Sequence, residues 1–462
     1  MVSVNFSTNE KVYLTGGENK VQSAAFPLKN SQNVNNNSKA SLPSFRAAGG
    51  TSAVTVRTQL NTKDEKKKYK ELSEALDGKY RRKLELALKS GILLKNDSDD
   101  KSSVLDNLHK ILKEERDQGL DNITIIQECL DIIQNPYVIT QTCEDIPPEY
   151  KTPVIGLMTN LSEDKNEIQE ANRYLNEMHT GTCPTASVEF DLATKHPAEF
   201  FRIVEGLTSP KHETYKIIDM DALSEKTSDA LWLLENFKTP YKSIGFEKAV
   251  VQLKPDENAI IRARIQNNYR DKGERSIIDV LMQSTMMQLG SQQTYDSITD
   301  KRAPNSWTAE DGGLIDFEKT YVESIMENKN TTSVIYQEVD EEGRLAGYKK
   351  DFDSIKKDLL DTLALGHNII IGYTFPDPNN DNKLAGHEIT IVGAKTDRNG
   401  KIMFICQDSD DEYDRPIMMP ESFLIPAIHH AGLPDEIASR DAQYEDSWKI
   451  YVDEYEKQKK RA

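Results

Sequence analysis

This chain is poor in cysteine and histidine, has no excess of positive charge, and has no long apolar run. Its 462 residues include four cysteines, Cys129, Cys143, Cys183 and Cys406, and no Cys-x-x-Cys pair. That excludes a zinc knuckle or a thioredoxin-type motif, and four thiols in a chain this long make no disulfide framework. No apolar stretch approaches the ~20 residues that cross a bilayer, so no membrane span is expected. The first ten residues lack an apolar segment, so no signal peptide is expected either. The default expectation is a cytoplasmic protein, or one exported by a non-standard route. Acidic residues outnumber basic ones, 76 to 58, for a net charge of −18. Nucleic-acid binding needs a basic footprint to displace counterions from phosphates, so no nucleic-acid partner is expected. Only 37% of the residues are hydrophobic, which implies that part of the chain stays unfolded.

The composition divides the chain into three expected regions. Residues 1–60 read as a disordered polar leader, carrying the tract Asn30-Ser-Gln-Asn-Val-Asn-Asn-Asn-Ser38 and at most a short hairpin around Val12-Tyr-Leu14. Residues 61–140 read as a small helical bundle. Val104, Leu105, Leu108, Ile111 and Leu112 form one apolar stripe there, and Asn135-Pro136 closes the last helix. Residues 141–462 read as an α+β domain with an insertion around 211–345. Within it Glu163–Met178 and 275–289 have helical periodicity, and Ile260-Ile-Arg-Ala-Arg-Ile265 alternates like a strand. Residues 332–339 form one arm of a hairpin turning at Glu342-Gly343. Residues 352–365 read as a helix stopped by Gly366. Three β-runs follow, at 368–374, 388–393 and 401–407, and a charged helix over 434–459 ends the chain.

Cys183 is the thiol with a chemical context. In Gly181-Thr-Cys-Pro-Thr-Ala-Ser187, Pro184 favours the first turn of a helix and places Cys183 at its N-cap. Unpaired N–H groups and the helix dipole there favour thiolate, although a small buried packing residue fits the local sequence as well. His387, in Ala385-Gly-His-Glu388, opens a strand. His367 reads as a cap at a helix end, and His429 and His430 read as helical, with no acidic hairpin partner. Counting outward from the turn near residue 398 brings Asp408 beside His387, with Asp410 and Asp411 as alternatives two and three residues on. A carboxylate there would fix the imidazole tautomer, and the imidazole would activate the thiol.

The order Cys at a helix start, Gly-His at a strand start, a Gly-containing turn and Asp-Ser at the next strand end resembles the papain-like cysteine peptidase superfamily. The nearest likeness is to its bacterial bacteriocin-leader-processing group. The resemblance implies a papain-like fold: a helical layer carrying the Cys and an antiparallel β-sheet carrying the His and Asp, here preceded by a small helical bundle. It implies peptide-bond cleavage with Cys183 as nucleophile, His387 as base and Asp408 as orienting acid, with Asp410 as the alternative acid. The substrate would be a protein or peptide, with no cofactor and no metal. Family members carry an oxyanion-hole Gln a few residues before the Cys; here that window has none, and Asn176 and Gln141 are the candidates. Pro184 follows the nucleophile where Gly or Trp is usual, and the Cys–His interval of 204 residues is long for the family.

Three rival readings remain. A transglutaminase- or amidase-like acyl transferase uses the same three residue types. Asp377-Pro-Asn-Asn-Asp-Asn382, with Glu388 at the twelfth position, superficially echoes a calcium loop, but lacks the central Gly and the following helix. An interaction protein on a peptidase-like fold would use the bundle at 64–134 to hold a protein partner.

Overall fold

The computed structural model describes residues 56–142, 181–223, 230–269, 273–303, 312–340, 342–377, 380–398, 400–410 and 414–440, with isolated positions between 164 and 169. The expected leader up to residue 55, the connection at 146–148, Asn176, nearly all of the helix at 163–178 and the chain beyond 440 lie outside these residues.

Four helices come first: α1 (Lys63–Ala75), α2 (Gly78–Ser90), α3 (Val104–Lys113) and α4 (Asn122–Gln134). Their starts are set by side chains that accept from orphan N–H groups: Thr62, Asp77, Ser103 and Asp121. Next come α5 (Cys183–Lys195), α6 (Pro197–Leu207), β1 (Thr214–Asp219), α7 (Ala230–Asn236), β2 (Tyr241–Ile244), β3 (Lys248–Leu253), α8 (Ala259–Tyr269), α9 (Ile277–Gly290) and α10 (Asp316–Glu327). The remainder is β4 (Thr331–Ile335), β5 (Gln337–Val339), β6 (Leu345–Tyr348), α11 (Phe352–Ala364), β7 (Ile369–Asp377), β8 (Asn380–Thr396), β9 (Ile402–Asp408), β10 (Ile417–Pro420), α12 (Glu421–Ala427), β11 (Ile428–Pro434) and α13 (Asp435–Ala438).

The protein is a mixed α+β molecule with antiparallel sheets. The main sheet has the order β10-β9-β8-β7-β11-β4. A smaller sheet has the order β1-β3-β2, and β5 and β6 form a hairpin. Leu72, Leu105, Ile126, Phe190, Phe200 and Leu281 belong to one continuous apolar core, so the first four helices share their interior with α5, α6 and α9. A second core lies between the sheet and α11 and α12, built on Ile355, Leu359, Ile371, Ile389 and Phe404. Helix α5 packs on α6, α9, α10 and β8, and every residue from Cys183 to Leu192 is buried. Its polar residues must therefore find partners inside the protein. Glu189 accepts from Gln283 Nε2 at 3.0 Å, and Asp191 accepts from Lys195 at 2.6 Å.

Three expectations are corrected. Residues 260–265 belong to helix α8, not a strand; burial of Ala259, Ile260, Arg262, Ala263, Ile265 and Gln266 follows a helical stripe. His429 and His430 lie on strand β11, not in a helix, and all seven residues of that strand are buried. The final helix starts as expected, at Asp435 with Pro434 as its N-cap, but it stops at Ala438 instead of running on through Ser439.

Candidate active site

Two neighbouring elements bring the candidate residues together. Thr182 is the N-cap of α5, and Cys183 is the first helical residue, one position further in than expected. Pro184 fits the first turn because it has no N–H to leave unpaired. Gly181 has a steric reason to be glycine: a Cβ there would sit 2.8 Å from the backbone nitrogen of Gly313. His387 does not open its strand as expected; it lies well inside β8, which pairs with β7 from Asn380 onward and whose side chains alternate between the two sheet faces.

Cys183 and His387 are 204 residues apart in sequence, yet the helix that opens with Cys183 packs on the strand that carries His387, and each side chain shifts the other's titration. His387 Nε2 donates to Asp408 Oδ1 at 2.7 Å, so in the neutral ring Nδ1 is the basic nitrogen. The His387 and Tyr373 rings stand nearly perpendicular, with centroids 5.8 Å apart. Cys183 is 2% exposed and His387 4%. That burial pushes the Cys183 thiol above its ordinary value, although His387 pulls the other way. Burial also pulls His387 down, but the Asp408 charge and hydrogen bond, with Cys183, hold it well above the usual histidine range. For Asp408, burial pushes the carboxyl up and His387 more than offsets it, so the carboxyl lies below its ordinary value. The thiol thus faces a strong buried base, where the sequence pointed to a thiol acidified by its helix.

Asp410 and Gln141 sit together behind Asp408. Gln141 Nε2 donates to Asp410 Oδ1 at 2.7 Å, and the Asp410 N–H donates to Asp408 Oδ1 at 3.0 Å. The chain leaving α4 is tied to this strand end, since the Gln141 N–H and Thr140 Oγ1 both donate to the Ser409 carbonyl, at 3.1 and 2.6 Å. Asp410 is therefore engaged with Gln141 while Asp408 holds His387. The N–H of Cys183, at the first helical position, has no intrahelical acceptor and is a ready oxyanion donor.

Cys129 and Cys406 are free and buried; burial pushes both thiols up, and neither is paired with an imidazole. Glu388, the last residue of the calcium-loop echo, is fully buried in the sheet, with its carboxylate 2.8 Å from His430. This pair was missed in the sequence. Its one signal there was a charged residue between two residues of a strand whose faces are both covered, a position that demands a partner. Among the described residues no group of His, Cys, Asp and Glu has the arrangement of a metal site, and no helix is long and apolar enough to cross a membrane. Searches against family models, curated proteins and solved structures returned no match.

Proposed function

We propose that the chain is a cysteine peptidase with a papain-like arrangement: a nucleophile-bearing helix set against an antiparallel sheet that carries the base and its orienting acid. The observation that carries this reading is the His387–Asp408 pair at 2.7 Å, on a strand against which the helix opening with Cys183 packs, 204 residues away in sequence. The Cys183 sulfur gives its proton to His387 and attacks a peptide carbonyl carbon. The C–N bond breaks, and the amine leaves with the proton from His387, giving a thioester. Water then gives a proton to His387 and adds to the thioester. The C–S bond breaks, a carboxylic acid departs and the thiol is restored. Asp408 keeps Nδ1 turned to the sulfur and stabilises the imidazolium formed on the way.

The test is labelling of the full-length protein with a small peptidyl electrophile. Cys183 should be modified at least roughly tenfold faster than Cys129 or Cys406, and His387→Gln should abolish that preference. Equal labelling of the three thiols would overturn the assignment. A free carboxylate in the products marks hydrolysis; a new amide marks acyl transfer to an amine.

A further inference from the structure

Thr182 is the N-cap of α5, yet its side chain does not cap the helix. At other helix starts the hydroxyl does that work. Thr62, Ser103 and Ser276 accept from the N–H three residues on, at 3.0, 3.1 and 3.0 Å. Thr182 has φ −94° and ψ 6°, outside the extended region that N-cap residues normally take, and its hydroxyl makes no such bond. The residue is fully buried, and among the described residues its Oγ1 has no hydrogen-bond partner at all. A buried hydroxyl left without a partner is destabilising, so its presence calls for a reason.

Covalent geometry places that hydroxyl beside the nucleophile. Four bonds join Thr182 Oγ1 to the Cys183 nitrogen, so the two atoms lie within about 5 Å of each other in any rotamer. Donors that close can share one oxygen, each standing about 2.7–3.1 Å from it. The Cys183 N–H needs such a companion, because Pro184 brings no N–H to the first turn. Other donors nearby are spent or displaced. Gln141 Nε2 is given to Asp410 at 2.7 Å, and Thr185 Oγ1 donates to the Thr182 carbonyl at 2.9 Å. That carbonyl also accepts from the Ala186 N–H at 2.8 Å, as the first bond of the helix. Ser187 Oγ is without a partner too, but Ser187 sits a full turn further into α5, where backbone N–H groups are taken up by the helix.

We propose that the Thr182 hydroxyl is the second oxyanion donor, acting with the Cys183 N–H on the oxygen that becomes negative when Cys183 adds to an acyl carbonyl. This rests on the reading of Cys183 as the nucleophile. As the S–C bond forms, the carbonyl π pair moves onto oxygen, and both donors point hydrogens at it. When the pair returns to carbon, the C–N bond breaks and the hydroxyl loses its partner again. A donor that is idle in the resting protein and engaged only at the charged stage stabilises that stage selectively, instead of tightening substrate binding. It also fills the place left by the absent Gln before Cys183, with a residue that adjoins the nucleophile in sequence.

The test is protection of Cys183 from iodoacetamide by N-acetyl dipeptide aldehydes in the full-length protein, read by peptide mass spectrometry. The sulfur adds to the aldehyde carbon, the aldehyde oxygen takes up the thiol proton, and the hemithioacetal blocks alkylation. Iodoacetamide itself is attacked at a saturated carbon and loses iodide, so no charged oxygen develops there. Thr182→Val should raise the aldehyde concentration for half-protection roughly a hundredfold and leave alkylation without aldehyde unchanged. Thr182→Ala should do the same, so the result does not hang on one variant folding. Thr182→Ser should retain protection, and Ser187→Ala should match wild type. Thr182→Val should melt no lower than wild type, because the hydroxyl it removes has no partner. Unchanged protection in both hydroxyl-free variants, a loss in Ser187→Ala instead, an equal fall in plain alkylation, a lower melting temperature, or a wild type that no aldehyde protects would overturn the proposal. Thr182-dependent protection without cleavage of any peptide would leave this inference standing and remove the peptidase reading. Peptide cleavage with protection indifferent to Thr182 would do the reverse.

Discussion

Asp408 reaches His387 along a diagonal of the ladder, not straight across it. Its backbone partner is Ile389, two residues further along β8, yet the carboxylate lies 2.7 Å from the His387 ring. Residues offset by two share a face, and a side chain can span that gap. Continuing the register would put Asp410 opposite His387, but Gln141 holds its carboxylate. The register itself shifts between Ile391 and Gly393, where a bulge adds one residue to β8.

The His387–Asp408 pair should leave a pH signature in stability. Burial pulls His387 down, yet Asp408 holds it well above 6.5, so its contribution is whole below about pH 6.5 and lost as pH rises through the raised value. Asp408 lies below 3.8, so its contribution is present above that value and lost as pH falls. Urea denaturation should therefore show the largest gap between wild type and Asp408→Asn from about pH 4 to 6.5, narrowing toward pH 9. A gap that widens with rising pH would contradict the pairing.

The far end of α5 carries a carboxyl shifted the opposite way to Asp408. Burial and the neighbouring Glu327 raise Asp191 from 3.8 to about 7. The folded protein therefore binds that proton more tightly than the unfolded chain does. Stability from this site falls as pH rises from about 4 to 7 and is level above that. Comparing wild type with Asp191→Asn at pH 5 and pH 8 should isolate a pH-dependent difference on the order of 3 kcal/mol. An unchanged pH dependence in the variant would show that Asp191 is ionised throughout.

Gly181 tests the packing next to the nucleophile. Its missing Cβ leaves room for the backbone of Gly312 and Gly313. Gly181→Ala should cost about 1–3 kcal/mol in denaturant unfolding and should slow Cys183 labelling, because backbone must move to admit the methyl group. A variant as stable and as reactive as wild type would show that this close approach is not maintained in solution.

The elements were legible in the sequence where a local rule decided them. Strands β7 to β9 follow from β-branched runs around the Asn399-Gly400 turn sequence, and α11 ends at Ala364, capped by Leu365 with Gly366 at φ +87°. Six residues of alternation around Ile260 fitted strand and helix equally, and the buried Arg262 decided for a helix only once its surroundings were known. Strand β11 is buried on both faces, so no period-2 pattern marked it, although Gly432 and Pro434 already argued against a helix. The Glu388–His430 pair depends on β7 lying between β8 and β11, a neighbour relation that chain order does not reveal. Cys183 was legible because Pro184 marks a helix start. Its meeting with His387 is tertiary.

The most direct measurement is incubation of the purified full-length protein with a library of unmodified peptides, with new termini identified by mass spectrometry. The account predicts products with free carboxylate ends from the wild-type protein, none from Cys183→Ala, and a loss of roughly a hundredfold or more in His387→Gln. Unchanged cleavage by Cys183→Ala, or an intact library under conditions in which wild-type Cys183 is readily alkylated, would contradict it.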